Sequence, residues 1–89
     1  MTWKVEFDNR SRKELRKLDP ETQKRLLHWI SENLAGEINP RDYGTSLKGR
    51  FRGLWRYRVG DYRIVCQIKD EDILILILRI AHRKDVYDR

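Results

Sequence analysis

Cysteine is nearly absent from this 89-residue chain. Cys66 stands alone, so the sequence can close no intramolecular disulfide and can build no cysteine-based metal site. Histidine is almost as scarce: His28 and His82 are the only two, and they lie too far apart in the chain to suggest a metal centre. No apolar run approaches the 18 or so residues that a membrane helix needs. Met1 is followed by polar and charged residues rather than by an apolar signal segment, so the expected location is cytoplasmic, with no membrane partner. The length leaves room for a single domain spanning residues 1–89 with one modest core, and too little for a deep pocket around a large cofactor. No internal repeat or low-complexity tract interrupts it.

Acidic residues are scarce where basic ones gather. Residues 1–46 carry nine Lys or Arg against eight Asp or Glu, and residues 47–89 carry eleven against six, so +1 and +5 make up the net +6. That asymmetry puts the positive potential on the C-terminal half, where it attracts a polyanion or an acidic protein. Within it, Lys48, Arg50, Arg52, Arg56, Arg58 and Arg63 face one acid, Asp61, and Phe51, Trp55, Tyr57 and Tyr62 are interleaved. A surface that holds phosphates and stacks bases needs this composition.

The periodicities predict an α+β domain. Trp3, Val5 and Phe7 share one face of a strand over residues 2–7. Asp8 or Asn9 can cap the next segment and Ser11-x-x-Glu14 has the form of a capping box, so a short helix is expected over residues 10–18. Asp19-Pro20-Glu21 starts a second helix that carries Leu26, Leu27, Ile30 and Leu34 at helical spacing to about residue 35, with Gly36 placed to end it. Residues 36–46 read as a surface loop. Leu54–Val59 and Tyr62–Lys69 form a hairpin across Gly60-Asp61, Asp70-Glu71-Asp72 turns the chain again, and Ile73–Ile80 is apolar enough to be a central strand. One helical turn is expected near residues 84–88. The result is an N-terminal strand, a helical hairpin and a three-stranded antiparallel meander, with the helices packed on one face of the sheet.

Alternation projects Arg56 and Arg58 from one face of their strand, and Arg63 can approach them across the hairpin. Like charges so close are unfavourable unless an anion lies between them. Arginine forks hold phosphate bidentately, and three or four would stabilise a pentacoordinate phosphorus transition state without a metal. This supports RNA cleavage through the 2′-hydroxyl, a nucleophile DNA lacks. The proton acceptor is the weak point, because arginine is a very poor base near neutral pH. His82 is the nearby side chain suited to proton transfer, and Tyr87 could stack on a base or bond a 2′-hydroxyl. Blander roles stand beside these: arginines on a solvated sheet face, aromatics packed in the sheet, Cys66 as a small buried hydrophobe.

The order of elements, together with Leu47-Lys48-Gly49, Leu54-Trp55-Arg56-Tyr57-Arg58-Val59-Gly60-Asp61-Tyr62-Arg63-Ile64-Val65 and His82-Arg83-Lys84-Asp85-Val86-Tyr87, resembles the RelE/ParE toxin superfamily over essentially the whole chain. The terminal block favours the RelE branch, whose members are ribosome-dependent messenger RNA endonucleases neutralised by a cognate antitoxin. The resemblance implies cleavage of mRNA in the ribosomal A site by 2′-hydroxyl attack, leaving a 2′,3′-cyclic phosphate. It assigns Arg56 and Arg58 to the basic second strand, Arg63 to phosphate binding, Arg83 to the leaving group and Tyr87 to substrate orientation. Lys48, Arg50, Arg52 and Lys84 would hold RNA. The second-strand positions are arginines where some relatives have lysines, one of them assigned as base, so proton abstraction falls to His82, an arginine or ribosomal groups. The implied partners are an acidic antitoxin, the ribosome and mRNA, with no cofactor and no metal. The alternatives are a ParE-like DNA gyrase inhibitor without nuclease activity and an inactive RNA- or ribosome-binding module.

Overall fold

The structure, a computed structural model, describes residues 2–84. The turn expected near residues 84–88, and Tyr87 itself, lie outside the described residues. Strand β1 is Lys4–Phe7, helices α1 and α2 are Asn9–Arg16 and Pro20–Asn33, and strands β2 to β5 are Thr45–Ser46, Trp55–Val59, Tyr62–Lys69 and Leu74–His82. They form one five-stranded sheet in the order β1-β5-β4-β3-β2, with β1 parallel to β5 and the other pairs antiparallel. The expected meander is β3-β4-β5. The strand expected at the centre, β5, is an interior strand, but β4 holds the middle because β1 and β2 extend opposite edges.

Asp8 caps α1, its Oδ1 accepting the Ser11 amide at 2.8 Å. The expected capping box therefore does not form. The spacing that suggested it begins three residues earlier, at Asp8-x-x-Ser11, because the Asp8 amide is already bonded to the Ile77 carbonyl at 3.0 Å where β1 ends. Ser11 is fully buried inside the helix, and its hydroxyl donates to the same Ile77 carbonyl at 2.7 Å. Asp19 caps α2 through the Thr22 amide and hydroxyl, bonds that hold its carboxyl below the usual carboxylate range.

Leu15, Leu26, Ile30 and Leu34 from the helical side pack against Tyr57, Val59, Ile64, Cys66, Ile75, Ile77 and Ile80 from the sheet. Leu27, expected on the same apolar stripe, is exposed instead, and Trp29 contributes to the core from the adjoining turn. Helix α2 closes at Leu34, so Gly36 does not end it. With φ at +101°, Gly36 pairs with Trp3 in both directions and joins the end of the helical hairpin to the strand edge.

The stretch expected to be a plain loop holds a 3₁₀ turn at Pro40–Asp42 and the edge strand β2. Side chains from elsewhere clamp it: the buried Tyr57 hydroxyl donates to the Pro40 carbonyl, Trp55 Nε1 donates to the Tyr43 carbonyl at 2.7 Å, and Arg41 holds Asp70 bidentately at 2.8 and 2.9 Å. At the turn into β5, Ile73 takes a left-handed conformation, φ 50°, and so falls outside the strand. Among the described residues, no helix is long and apolar enough to cross a membrane.

Candidate functional site

One face of the sheet is filled by the helices, and alternation sends the other set of side chains to the opposite face. Tyr57 and Val59 point into the core from β3, so Arg56 and Arg58 share the far face. On β4, Ile64 and Cys66 point inward and Arg63 and Val65 outward. The register then brings Arg58 directly opposite Arg63, and Arg56 opposite Val65, whose other neighbour is Arg79 of β5. Adjacent members of this group are thus only about 5 to 7 Å apart at the backbone. Arg58 is exposed, whereas Arg63 is half-buried with its Nε sunk below the surface.

The other basic residues predicted to bind RNA lie on the segments that flank these strands. Lys48, Arg50 and Arg52 are exposed on and beside a 3₁₀ turn, Gly49–Phe51, and the Arg50 guanidinium lies 5.7 Å from the centroid of the Phe51 ring. Arg83 is exposed just beyond β5, where its amide donates to the Asp61 carbonyl at 2.7 Å and its Nε stands 3.6 Å from the Asp61 carboxylate. The one acid in the basic run therefore holds the last described arginine against the β3–β4 turn. Lys84 is also exposed, and its amide donates to His82 Nδ1 at 3.2 Å.

His82 does not join the arginine face. It pairs in register with Tyr62, whose ring meets it edge-on at 5.2 Å, and that row has the parity of the helix-packed face. His82 and Tyr62 line a hollow of about 310 Å³ with Glu14, Lys17 and Leu18 from the helical side. The aromatics read as candidate base platforms are also mostly structural. Tyr57 is fully buried, burial pushes its phenol above the usual range, and Trp29 packs 5.5 Å from it. Cys66 is fully buried, which pushes its thiol up to about 12.

Glu14 and Arg79 matter more than the sequence reading indicated. Beyond Phe7, β1 no longer covers the edge of β5, and α1 takes over. Glu14 Oε1 accepts the Ile80 amide at 2.8 Å, and Oε2 accepts from Arg79 Nε at 2.9 Å. One carboxylate thus closes an open strand edge and orients an arginine beside the basic face. A signal was available: Arg79 is the only charged side chain between Ile73 and Ala81, and such a residue in an apolar strand needs a partner.

The same fold occurs in known proteins. Residues 5–87 match the family model described as the ParE toxin of the type II toxin-antitoxin system parDE. Toxin RelG of Mycobacterium tuberculosis is 34% identical over 91 residues, covering 100% of each chain. The toxin-antitoxin complex RelBE2 of M. tuberculosis matches with a TM-score of 0.85 at 29% identity, over 96% of this chain and 95% of that one. The archaeal RelE-RelB complex of Pyrococcus horikoshii matches with a TM-score of 0.71 at 28% identity, over 97% and 100%. This protein belongs to the ParE toxin family, within the RelE/ParE superfamily of type II toxin-antitoxin toxins.

Proposed function

We propose that the chain is a ribosome-dependent endoribonuclease that cleaves mRNA in the A site. The observation that carries this reading is the register of Arg58 against Arg63, with Arg56 two residues away on the same face. Like charges on facing residues of paired strands are unfavourable, and a phosphodiester between them turns that cost into a binding site. When the 2′-hydroxyl attacks, the phosphorus gains negative charge that fixed arginines stabilise more strongly than they do the ground state. Arg83, at the same end of the sheet, carries positive charge toward the departing 5′-oxygen. Lys48, Arg50, Arg52 and Lys84 hold the flanking backbone, and Tyr87 orients the substrate.

His82 packs with Tyr62 on the helix side, so its imidazole does not stand beside Arg58 and Arg63. The chain supplies charge stabilisation, and groups of the ribosome supply orientation and proton transfer, which accounts for the ribosome requirement. The natural inhibitor is an acidic antitoxin, as expected for a chain of net charge +6 whose relatives include toxin-antitoxin complexes.

The test is incubation with ribosomes stalled with an open A site on a defined mRNA, with naked mRNA alongside and primer extension as readout. A cut inside the A-site codon only in the presence of ribosomes supports the proposal. A second reading, a gyrase inhibitor, draws on the family model being that of ParE. Intact mRNA on the ribosome together with inhibited DNA supercoiling would favour it.

A further inference from the structure

A hollow of about 300 Å³ opens on the arginine face between α1, the Gly49–Phe51 turn and the far end of β5. Its floor is apolar, formed by Leu54, Val65 and Leu78, and Phe51 forms a wall. Asp8, Arg10, Arg50 and Arg79 also line it. Asp8 Oδ1 accepts the Ser11 amide and Arg79 Nε donates to Glu14, so both side chains are held in place by bonds of their own. Flat apolar surfaces bounded by guanidinium donors and one carboxylate acceptor suit a nucleobase, whose faces are apolar and whose edges carry donors and acceptors.

Position ties this hollow to the phosphate site. Val65 lies between Arg56 and Arg79 in the ladder and two residues from Arg63 on the same strand face, a separation of about 6.8 Å. A base and its own phosphate are joined through one sugar, so that spacing is within reach of a single nucleotide. The bulge between Val65 and Cys66 makes Leu78 the extra residue of β5, which broadens the floor where the hollow lies.

We infer that this hollow seats the base of a nucleotide adjoining the phosphate held by Arg58 and Arg63, and that Arg10 and Leu78 thereby help set which codons are cut. The inference rests on the nuclease reading above, so its test is a binding measurement that separates the two. Ribosomes are programmed with an mRNA whose A-site codon is 2′-deoxy and hence uncleavable, and the bases of that codon are removed one at a time. Binding of the labelled toxin is followed against salt concentration.

Removal of one base is expected to weaken binding about fivefold to a hundredfold. Leu78→Trp, which fills the hollow, should erase that sensitivity while keeping the salt dependence of the phosphate contacts. Arg10→Ala, at an exposed position on α1, should reduce the sensitivity without affecting folding. Salt-dependent binding that ignores every base removal would overturn the inference and leave the phosphate site standing, as would full base sensitivity in both variants. Absence of any salt-dependent binding would overturn both readings.

Discussion

Arg58 and Arg63 face each other across the β3–β4 ladder, two like charges at one rung of a sheet. Like charges directly opposite each other in a ladder are in themselves unfavourable. The fold retains this pair on a surface whose other side is filled by the core. The pair concentrates positive potential at one rung, as an anion site requires.

Arg58→Thr should therefore raise stability and lower activity together. The expected gain is about 0.2 to 1 kcal/mol, or a rise in Tm of roughly 1 to 8 °C for a domain of this size. Added phosphate should stabilise the natural chain more than the variant, because only the former keeps the paired guanidinium groups. Thermal unfolding with and without phosphate checks this; a lower Tm in the variant would contradict it.

Glu14 closes the edge of β5, its two oxygens accepting the Ile80 amide and the Arg79 guanidinium. Glu14→Ala leaves the Ile80 amide and the Arg79 guanidinium without their acceptor in a partly buried setting. The expected loss is about 2 to 4 kcal/mol, with Glu14→Gln losing about half as much because its carbonyl can still accept one bond. Urea denaturation measures both, and equal stability of all three proteins would refute the role.

Gly44 sits with φ at +75° where an added Cβ would meet the Arg56 carbonyl, the Trp55 indole and the Tyr57 ring. Gly49 has a similar φ, +67°, but faces open space. Gly44→Ala should cost about 3 kcal/mol or more, through both backbone strain and collision, whereas Gly49→Ala should cost about 1 kcal/mol from strain alone. Paired denaturation curves distinguish these mechanisms, and similar losses at the two positions would show that the close approach at Gly44 has no energetic weight.

Burial of Cys66 sets an alkaline limit on stability. Its thiol is raised from 9.0 to about 12 in the folded protein, so between those values the unfolded chain releases a proton that the folded chain keeps. Folding stability is therefore fully present below pH 9 and falls as pH rises toward 12, by at most about 1.4 kcal/mol per pH unit from this group. Tyr57, raised from 10.0 by the same burial, adds to the fall at higher pH. Denaturation of Cys66→Ala across this range should show a shallower alkaline slope than the natural chain, and an unchanged slope would contradict the assignment.

The legible parts of the fold were those written as alternation or capping. Trp3, Val5 and Phe7 marked β1, Asp19-Pro20 marked the start of α2, and Arg56 and Arg58 marked the outward face of β3, because each signal is local to one element. Hidden features depend on contacts distant in sequence. Asp8, one of the two caps the sequence offers, is the one used. Glu14 reads as half of a capping box, and its bonds to Arg79 and the Ile80 amide, 65 and 66 residues on, leave no local trace. His82 follows the strand directly, and only the Tyr62 register shows that it belongs to the helix side. Strand β2 has two residues, too few for any period, and exists because Thr45 and Ser46 pair with β3.

The central claim is that the arginine face stabilises the charge gained at phosphorus, and a single-turnover cleavage rate measures it most directly. On ribosomes programmed with an open A site, Arg63→Ala should cleave about 100- to 1000-fold more slowly than the natural chain while remaining folded, the size expected when one fixed donor to a developing oxyanion is removed. Cleavage at the natural rate by a folded Arg63→Ala protein would contradict the account.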